Sequence, residues 1–146
     1  MNNDNTNAKT FILGPDSTVL IGSTFGLYLL NPKLDSISIF NKYNKFEELK
    51  NLIINDFTEV EGLFYIQTNN GMYVLDWEKG IIAHHNFIFN NLLYLYTDKE
   101  GVFWIATRGG GLLEWHPETN RIHQYTVEDG FSHNILYAVY LSLIHI

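Results

Sequence analysis

A short pattern recurs three times in this chain of 146 residues and constrains its fold more than any other feature. A hydroxyl residue stands at the same point of each copy, at Ser23, Thr68 and Thr107, so the copies are spaced by 45 and 39 positions. A period of about 40–45 residues, with several short strand-like runs in each unit, is typical of β-propeller blades. The three copies are 20–27, 65–72 and 104–112, the last with one extra glycine.

The third unit shows the strand pattern most clearly. Short apolar, aromatic and β-branched runs at 92–96, 102–107, 111–115 and 121–126 are separated by polar turns that contain glycine, proline or asparagine. These runs are too short for helices, and glycine accepts the positive φ that tight hairpin turns require. The unit is therefore predicted to be a four-stranded antiparallel meander.

The other two units follow the same order of runs and turns. The segment 46–50 has an apolar spacing compatible with a helix, but we interpret it as a loop with at most one helical turn because the repeat places it between blades. The strands predicted for the second unit are 51–54, 63–68, 72–75 and 81–87. Those predicted for the first are 18–23, 27–30 and 36–40, with a weak opening strand at 10–13.

The predicted fold class is all-β, a partial β-propeller of about three four-stranded antiparallel blades. We expect a partial first blade with its connecting loop at 1–50, a second blade at 51–90 and a third at 91–133. The segment 134–140 is predicted to be the first strand of a following blade.

Three blades are too few for a closed ring, which needs about four to eight, so we expect the chain to be a piece of a longer protein. The first blade starts late, and no polar turn follows Tyr140. The final residues 141–146, Leu-Ser-Leu-Ile-His-Ile, look like the translation of a transposase adapter used in preparing sequencing libraries. The alternative is a natural extension of the last strand.

Composition excludes several classes of protein. The chain has no cysteine and therefore no disulfide framework or thiolate metal site. No apolar run approaches the roughly eighteen residues that a membrane helix needs, and no secretory leader precedes the first unit. The net charge is −7, and the nine lysines and arginines are scattered, whereas nucleic-acid binding requires a basic stripe. We therefore expect no nucleic-acid partner and no membrane segment in this chain.

The repeat resembles that of the two-component regulator propeller family, over about residues 11–140. The family pattern reads, loosely, Asp-x-x-Gly, an aromatic residue with Ile-Gly-Thr, a Gly-Gly-Leu turn, a proline-bearing turn and Asp-Gly-Leu-Ser-x-Asn. Ala106 and Phe131 depart mildly from it, and Gln67 and Trp77 stand where glycine and proline are usual. The matching residues are Asp98, Gly101, Trp104, Ile105, Thr107, Gly110, Gly111, Leu112, Pro117, Tyr125, Asp129, Gly130, Ser132 and Asn134.

This resemblance implies a fragment of a periplasmic or otherwise extracytoplasmic sensor domain. Such a domain binds a small, glycan-type ligand and signals through a membrane helix to a downstream histidine kinase. The fragment itself would be no enzyme, would need no cofactor and would have neighbouring blades of the same parent protein as partners. The alternatives are a protein-interaction propeller scaffold and a fragment of a propeller lyase or hydrolase.

Ligand contacts are predicted on one face of the blades. In a meander, the turns after strands two and four lie on the same side, and a shallow site there would combine polar groups with an aromatic platform. Arg108 could form a forked contact with a carboxylate or sulfate, or it could simply be solvated. The predicted ligand-binding residues are Phe25, Asn69, Arg108 and His133.

The tryptophans are assigned mainly to packing. Trp104, in a second strand, is predicted to lie in the core between blades, where a large ring buries most area. Trp77 and Trp115 are predicted to pack against a neighbouring blade, with sugar stacking as the alternative. Tyr94 and Tyr137 belong to inner strands and could line or fill the central channel.

No catalytic residue and no metal ligand is predicted. His84 and His85 are adjacent in a strand and therefore point to opposite faces, so they cannot chelate one ion together. The aspartates recur in turns, where their side chains bond the local backbone. No glycine loop opens a helix in the way that phosphate binding requires.

Overall fold

A computed structural model of the chain describes residues 7–33, 36–39, 44–88 and 91–133. The predicted strand 134–140 and the adapter-like residues 141–146 lie outside this part. Its strands form three four-stranded antiparallel sheets, in each of which every strand pairs with the next one along the chain. The predicted all-β fold with three antiparallel meanders is therefore confirmed.

The twelve strands of the described residues follow the sequence in three groups of four. The first sheet contains β1 (Ala8–Leu13), β2 (Val19–Ser23), β3 (Gly26–Asn31) and β4 (Ser36–Ile39). The second contains β5 (Ile54–Val60), β6 (Leu63–Thr68), β7 (Gly71–Asp76) and β8 (Gly80–His85). The third contains β9 (Leu92–Thr97), β10 (Phe103–Thr107), β11 (Leu112–His116) and β12 (Arg121–Tyr125).

The chain divides into two compact units, Met1–Asn90 with the first two sheets and Asn91–Ile146 with the third. In the first unit, apolar side chains from one face of each sheet meet in a shared core. Burying each such side chain contributes about 1.5–3 kcal/mol, so the two sheets stabilise one another. The buried members are Leu20, Leu27, Phe46, Leu49, Ile54, Phe57, Phe64, Ile66, Tyr73 and Leu75.

The segment between the first two sheets is a short 3₁₀ element, Asn44–Leu49, that is interrupted at Phe46, where φ is −129°. Phe46 and Leu49 are both buried in the shared core. The apolar spacing that resembled a helix is therefore the spacing of two anchors that fix the connection onto the core. The segment is not a continuous helix, but it contains two successive 3₁₀ turns, which is more helical structure than the single turn that the sequence analysis allowed.

The opening strand of the second sheet was predicted at 51–54, and this prediction was wrong. Asn51 has a left-handed backbone (φ 65°), and β5 begins at Ile54 and extends to Val60. A bulge between Ile54 and Asp56 breaks the regular alternation of β5. Because strand patterns are recognised by strict alternation, the bulge hid this strand among polar residues.

The hydroxyl residue that marks each repeat closes the turn between the second and third strands. Each hydroxyl accepts a backbone N–H from the turn and donates to the carbonyl of the glycine that ends it. The contacts are Ser23 Oγ with Phe25 N at 2.9 Å and Gly26 O at 2.9 Å; Thr68 Oγ1 with Asn70 N at 2.9 Å and Gly71 O at 2.9 Å; and Thr107 Oγ1 with Gly110 N at 3.0 Å and Gly111 O at 2.8 Å.

These three hydroxyls, which we call the turn hydroxyls, are buried. A hydroxyl can donate once and accept at the same time, so a single side chain pairs two backbone groups that the turn would otherwise leave unpaired. The glycine beside it is required by space as well as by backbone conformation. Gly71 (φ 94°) and Gly111 (φ 75°) lie against the carbonyl groups of His85 and Tyr125, and a Cβ would collide with them.

A second feature recurs beside each turn hydroxyl. The first strand of every sheet carries a bulge at the point where it pairs with the end of the second strand. The extra residues are Lys9 in β1, Asn55 in β5 and Leu93 in β9. Because a bulge bends a strand and redirects its side chains, these three positions are structurally equivalent points of the repeat.

Replacing the turn hydroxyl of the second sheet tests its role. Thr68→Val keeps the shape of the side chain but leaves the Asn70 N–H and the Gly71 carbonyl without this partner. We expect unfolding free energy to fall by about 1–3 kcal/mol, measured by urea denaturation of the full chain. The control Thr68→Ser keeps a hydroxyl, the group found at position 23, and should lose much less unfolding free energy. Equal losses for the two variants would contradict this role of the hydroxyl.

The outer face of the first sheet should cause self-association. Phe11 and Leu13 are 74% and 70% exposed on β1, and adjacent exposed apolar side chains on an edge strand favour association. We expect the double variant Phe11→Lys/Leu13→Glu to shift the chain towards monomer in sedimentation velocity at matched concentration. Ile88→Glu, at a residue 93% exposed outside the sheets, is the control, and an equal shift there would refute a specific surface.

Candidate functional site

Phe25 lies at the tip of the turn between β2 and β3. Its backbone N–H is held by the hydroxyl of Ser23, and its ring is 60% exposed. The adjoining Gly26 lies beside the backbone of Lys50 and Asn51, with 3.4 Å between Asn51 N and the position that a Cβ would take. The turn is therefore fixed from both sides while its aromatic ring faces solvent.

Asn69 occupies the corresponding turn between β6 and β7, and two of its polar groups bond to the backbone of Ile53. Its side-chain oxygen accepts the N–H of Ile53 at 2.9 Å, and its own N–H donates to the Ile53 carbonyl at 3.1 Å. These bonds tie the turn to the residue that precedes β5. Asn69 is exposed, so a ligand could reach it at this surface.

The neighbouring residue Asn70 belongs to a small polar–aromatic group that the sequence did not reveal. Its side-chain nitrogen donates to Tyr73 Oη at 3.1 Å, and its carbonyl lies 2.6 Å from His84 Nε2. The rings of Tyr73 and His84 stack with centroids 4.0 Å apart. His84 is consequently held against the second sheet, at the same turn as Asn69.

Two side-chain hydrogen bonds join β1 and β5, the first strands of the two sheets, at this end of the first unit. Lys9 Nζ donates to Asn55 Oδ1 at 2.6 Å, and Thr10 Oγ1 donates to Asp56 Oδ1 at 3.2 Å. Sequence reasoning missed Lys9 and Asn55, since both occupy bulges that simple alternation does not locate.

The other two predicted ligand-binding residues belong to the second unit. Arg108 is exposed in the turn after β10, and its N–H donates to the carbonyl of Asn91 at 2.8 Å. His133 is exposed beyond a 3₁₀ turn, Val127–Asp129, that is capped by Thr126. Phe25, Asn69 and Arg108 thus each lie, within their own unit, in a turn whose backbone is held by hydrogen bonds.

The tryptophans differ from expectation in one case. Trp104 was predicted to lie in the core, but it is partly exposed, and its Nε1 donates to Asp98 Oδ2 at 2.9 Å. Trp115 is the fully buried tryptophan of the third sheet, packed 5.1 Å from the ring of Phe103. Trp77 lies 6.0 Å from the ring of Phe64 and packs against the core that the first two sheets share, as predicted. The contact of Trp115 with Phe103 lies within its own sheet, so its packing against a neighbouring blade stays a prediction.

Asp98 explains why the Asp-x-x-Gly pattern accompanies the tryptophan. One carboxylate oxygen accepts the N–H groups of Glu100 and Val102, and the other accepts the indole of Trp104. Burial acts to raise the pKa of Asp98, but these hydrogen bonds outweigh it, so its pKa lies below the ordinary value. Asp98 is therefore a turn-forming residue.

A second carboxylate on the third sheet is also surrounded by partners. Glu114 accepts from Tyr125 Oη at 2.8 Å and lies 2.7 Å from His116 Nε2, which is itself 3.2 Å from an Arg121 nitrogen. The hydrogen bond from His116, then that from Tyr125, lowers the pKa of Glu114. The same bond to Glu114 raises the pKa of Tyr125.

The histidines and acidic residues of the described part do not gather into a cluster suited to a metal ion. No group of three or more histidine, aspartate or glutamate side chains within that part could hold a metal ion. His84 and His85 alternate in β8 as expected, and burial, then the adjacent His84, lowers the pKa of His85.

Tyr94 is about half exposed on β9, whereas Tyr137 lies beyond the described residues. No helix within 7–33, 44–88 or 91–133 has the length and apolar character to cross a bilayer.

Comparison with known sequences gives no assignment, whereas comparison with solved structures does show the fold. No protein-family sequence model matches the chain, and no curated protein matches it. It superposes on the extracellular domain of the proposed hybrid two component system BT3049 from B. thetaiotaomicron with a TM-score of 0.71 and 24% identity, covering 86% of this chain and 18% of that one.

Two further structures extend this comparison. The extracellular domain of the proposed one component system BT4673 from B. thetaiotaomicron gives a TM-score of 0.76 at 14% identity, over 98% of this chain and 19% of that one. Virginiamycin B lyase from Staphylococcus aureus gives a TM-score of 0.58 at 12% identity, over 86% of this chain and 43% of that one. The chain therefore has the fold of a partial β-propeller and spans less than a fifth of the two sensor chains.

The contacts of Glu114 predict a pH effect on stability. Since its pKa is lower in the folded chain, the stabilisation from ionised Glu114 is complete above the unfolded-state pKa and is lost as pH falls through the folded-state pKa. We expect Glu114→Gln to be less stable than the parent at pH 7, with the difference shrinking below about pH 4, in urea titrations across pH. Glu118→Gln removes an exposed carboxylate nearby as a control; a pH-independent difference for Glu114→Gln would contradict the assignment.

Proposed function

We propose that this chain is part of an extracytoplasmic β-propeller sensor that binds a small glycan-type ligand and signals to a downstream histidine kinase. The observation that carries this proposal is the fold shared with extracellular domains of bacterial signalling systems, at TM-scores of 0.71 and 0.76. The repeat residues, from Asp98 to the turn hydroxyl Thr107, support the same assignment from the sequence.

The proposed location is the periplasm or another extracytoplasmic compartment, and the proposed partners are neighbouring blades of the same parent. The described outer face of the first sheet, with Phe11 and Leu13 exposed, supports a neighbour there. The proposed division into blades at 1–50, 51–90 and 91–133 follows the three sheets, because one sheet falls within each range.

The ligand contacts proposed are Phe25, Asn69, Arg108 and His133. Each is exposed and lies in a turn or loop, while the turns of Phe25, Asn69 and Arg108 are fixed by backbone hydrogen bonds. A fixed backbone with exposed side chains lowers the ordering cost of binding. In the first unit, the exposed aromatic ring of Phe25 and the amide of Asn69 suit a polar ligand with an apolar face, such as a sugar. In the second unit, Arg108 and His133 offer a guanidinium and an imidazole group for polar contacts.

An enzymatic role has weaker support, so we propose a non-enzymatic domain. The likeness to virginiamycin B lyase has a TM-score of 0.58, and such similarity concerns the fold, which does not determine chemistry. The carboxylates with shifted pKa values on the third sheet, Asp98 and Glu114, both lie below their ordinary values. A general acid needs the opposite shift.

The sequence of the parent gene tests this proposal. Long-read sequencing through the codon for Tyr140 and beyond should reveal further repeats, then a membrane helix and a histidine-kinase module. A continuous natural sequence in place of 141–146 would support the adapter interpretation as well. A gene that ends after the propeller without any signalling module would overturn the sensor proposal and favour a scaffold or an enzyme.

A further inference from the structure

The interface between the first two sheets shows how one sheet of the repeat receives the next. β5 of the second sheet lies against β1 and β2 of the first, and Phe57 of β5 is buried in the core that the two sheets share. On the first sheet, Leu20 is fully buried in the same core, and Ile12 packs against it. One side of a sheet therefore meets the preceding sheet, and the opposite side meets the following one.

The outer face of the first sheet has the form of a side that meets a preceding sheet. Phe11 and Phe57 occupy the same position, because each pairs with the residue that stands two places before the turn hydroxyl of its own sheet. Phe57 is 8% exposed in the shared core, whereas Phe11 is 74% exposed, with Leu13 beside it on the same face. The outer face thus carries the anchor of this interface without a sheet to pack on.

The third sheet carries the complementary side. Trp104 stands three places before its turn hydroxyl, as Leu20 does, and Tyr96 pairs with Trp104 as Ile12 pairs with Leu20. Leu20 and Ile12 pack in the shared core, whereas Trp104 is partly exposed and Tyr96 is 37% exposed. Together with Tyr94 they form what we call the open face of the third sheet, the side that receives a following sheet.

The open face is held in shape before any partner binds. Trp104 Nε1 donates to Asp98 Oδ2 at 2.9 Å, and its ring stacks with that of Tyr125 at a centroid distance of 6.3 Å. Tyr125 Oη donates in turn to Glu114 at 2.8 Å. Side chains that are already fixed lose little freedom on association, and aromatic rings bury large areas against other rings. The open face is therefore suited to an apolar surface that presents a phenylalanine.

The sizes of the residues also match where two sheets approach most closely. In the first unit, Gly22 lies against Ile54, and a Cβ on Gly22 would lie 2.6 Å from an Ile54 methyl carbon. On the third sheet the residue equivalent to Gly22 is Ala106, since each precedes its turn hydroxyl. On the first sheet the residue equivalent to Ile54 is Ala8, since each pairs with its turn hydroxyl. The smaller Ala8 leaves the room that the Cβ of Ala106 needs.

We propose that the outer face of the first sheet docks on the open face of the third sheet of a second copy of this chain. The geometry repeats the way in which the second sheet packs on the first. A second copy is the partner because one chain carries both halves of this interface and leaves both exposed, and exposed apolar surfaces of this kind favour association. Since two different surfaces meet, each chain can bind two neighbours.

A second copy is a partner that the proposed function does not include, because the neighbouring blades proposed there belong to a single parent chain.

The test uses two variants of the full chain, each with one face blocked. Phe11→Lys/Leu13→Glu blocks the outer face, and Tyr94→Lys/Tyr96→Glu blocks the open face. In sedimentation velocity we expect the parent to associate and each variant alone to associate about tenfold or more weakly. Mixed in equal amounts, the two variants should form a 1:1 complex, because each supplies the face that the other lacks. This complex should not grow further, since its two remaining faces are blocked.

A matched control lies on the other side of the third sheet. Ile122 is 43% exposed on β12 and pairs with the buried Trp115, so it lies on the side opposite the open face. Ile122→Glu should associate like the parent. Circular dichroism and urea unfolding of each variant check that it remains folded, and recovery of association on mixing shows this independently.

Several results would overturn the proposal. If the Tyr94→Lys/Tyr96→Glu variant alone associates as strongly as the parent, the outer faces of two chains meet each other instead. A parent that stays monomeric, or a mixture of the two variants that does, leaves both faces to blades of the parent protein. An equal loss in Ile122→Glu also removes the case for a specific surface. None of these results bears on the sensor proposal, which the sequence of the parent gene decides.

Discussion

The turn hydroxyl is the interaction on which the repeat depends. At Ser23, Thr68 and Thr107, one buried oxygen accepts an N–H from the turn and donates to the glycine carbonyl that ends it. A buried polar group that lacks a partner costs about 1–3 kcal/mol, so neither the hydroxyl nor the backbone groups can change alone. The hydroxyl, the turn and the glycine form one unit, and the third copy accommodates its extra glycine without losing either bond.

The residue before each turn hydroxyl shows how the same frame varies. Gly22 lets Ile54 of the second sheet approach closely, because a Cβ there would lie 2.6 Å from an Ile54 methyl carbon. Ala106 keeps a small side chain, whereas Gln67 places a fully buried amide with no hydrogen-bond partner among the described residues. Gln67 is the position at which the second sheet departs most from the repeat, as its sequence also indicates.

The sequence predicted the sheets well because their information is local. β6 was located at both ends, since an apolar run and a glycine turn bound it on either side, and β1 and β12 were located to within two residues. β5 was misplaced because its bulge at Asn55 interrupts the alternation. The Lys9–Asn55 contact was missed for the same reason, and Trp104 was misassigned because its indole bonds a turn carboxylate rather than entering the core. Phe25 and Asn69 were predicted to lie in turns, and both are exposed there. Which residues lie next to them depends on the register of the paired strands, which the sequence does not show.

One consequence follows from how the turns are anchored. In the first sheet, the bonds that shape the turn use main-chain atoms, the Ser23 hydroxyl and Gly26, and none of them involves the side chain of Phe25. Residues such as Phe25 can therefore be exchanged through evolution at little cost to stability. A lineage built on this principle would diversify its recognition surfaces rapidly while its architecture persisted, which accords with superposition at only 14–24% identity.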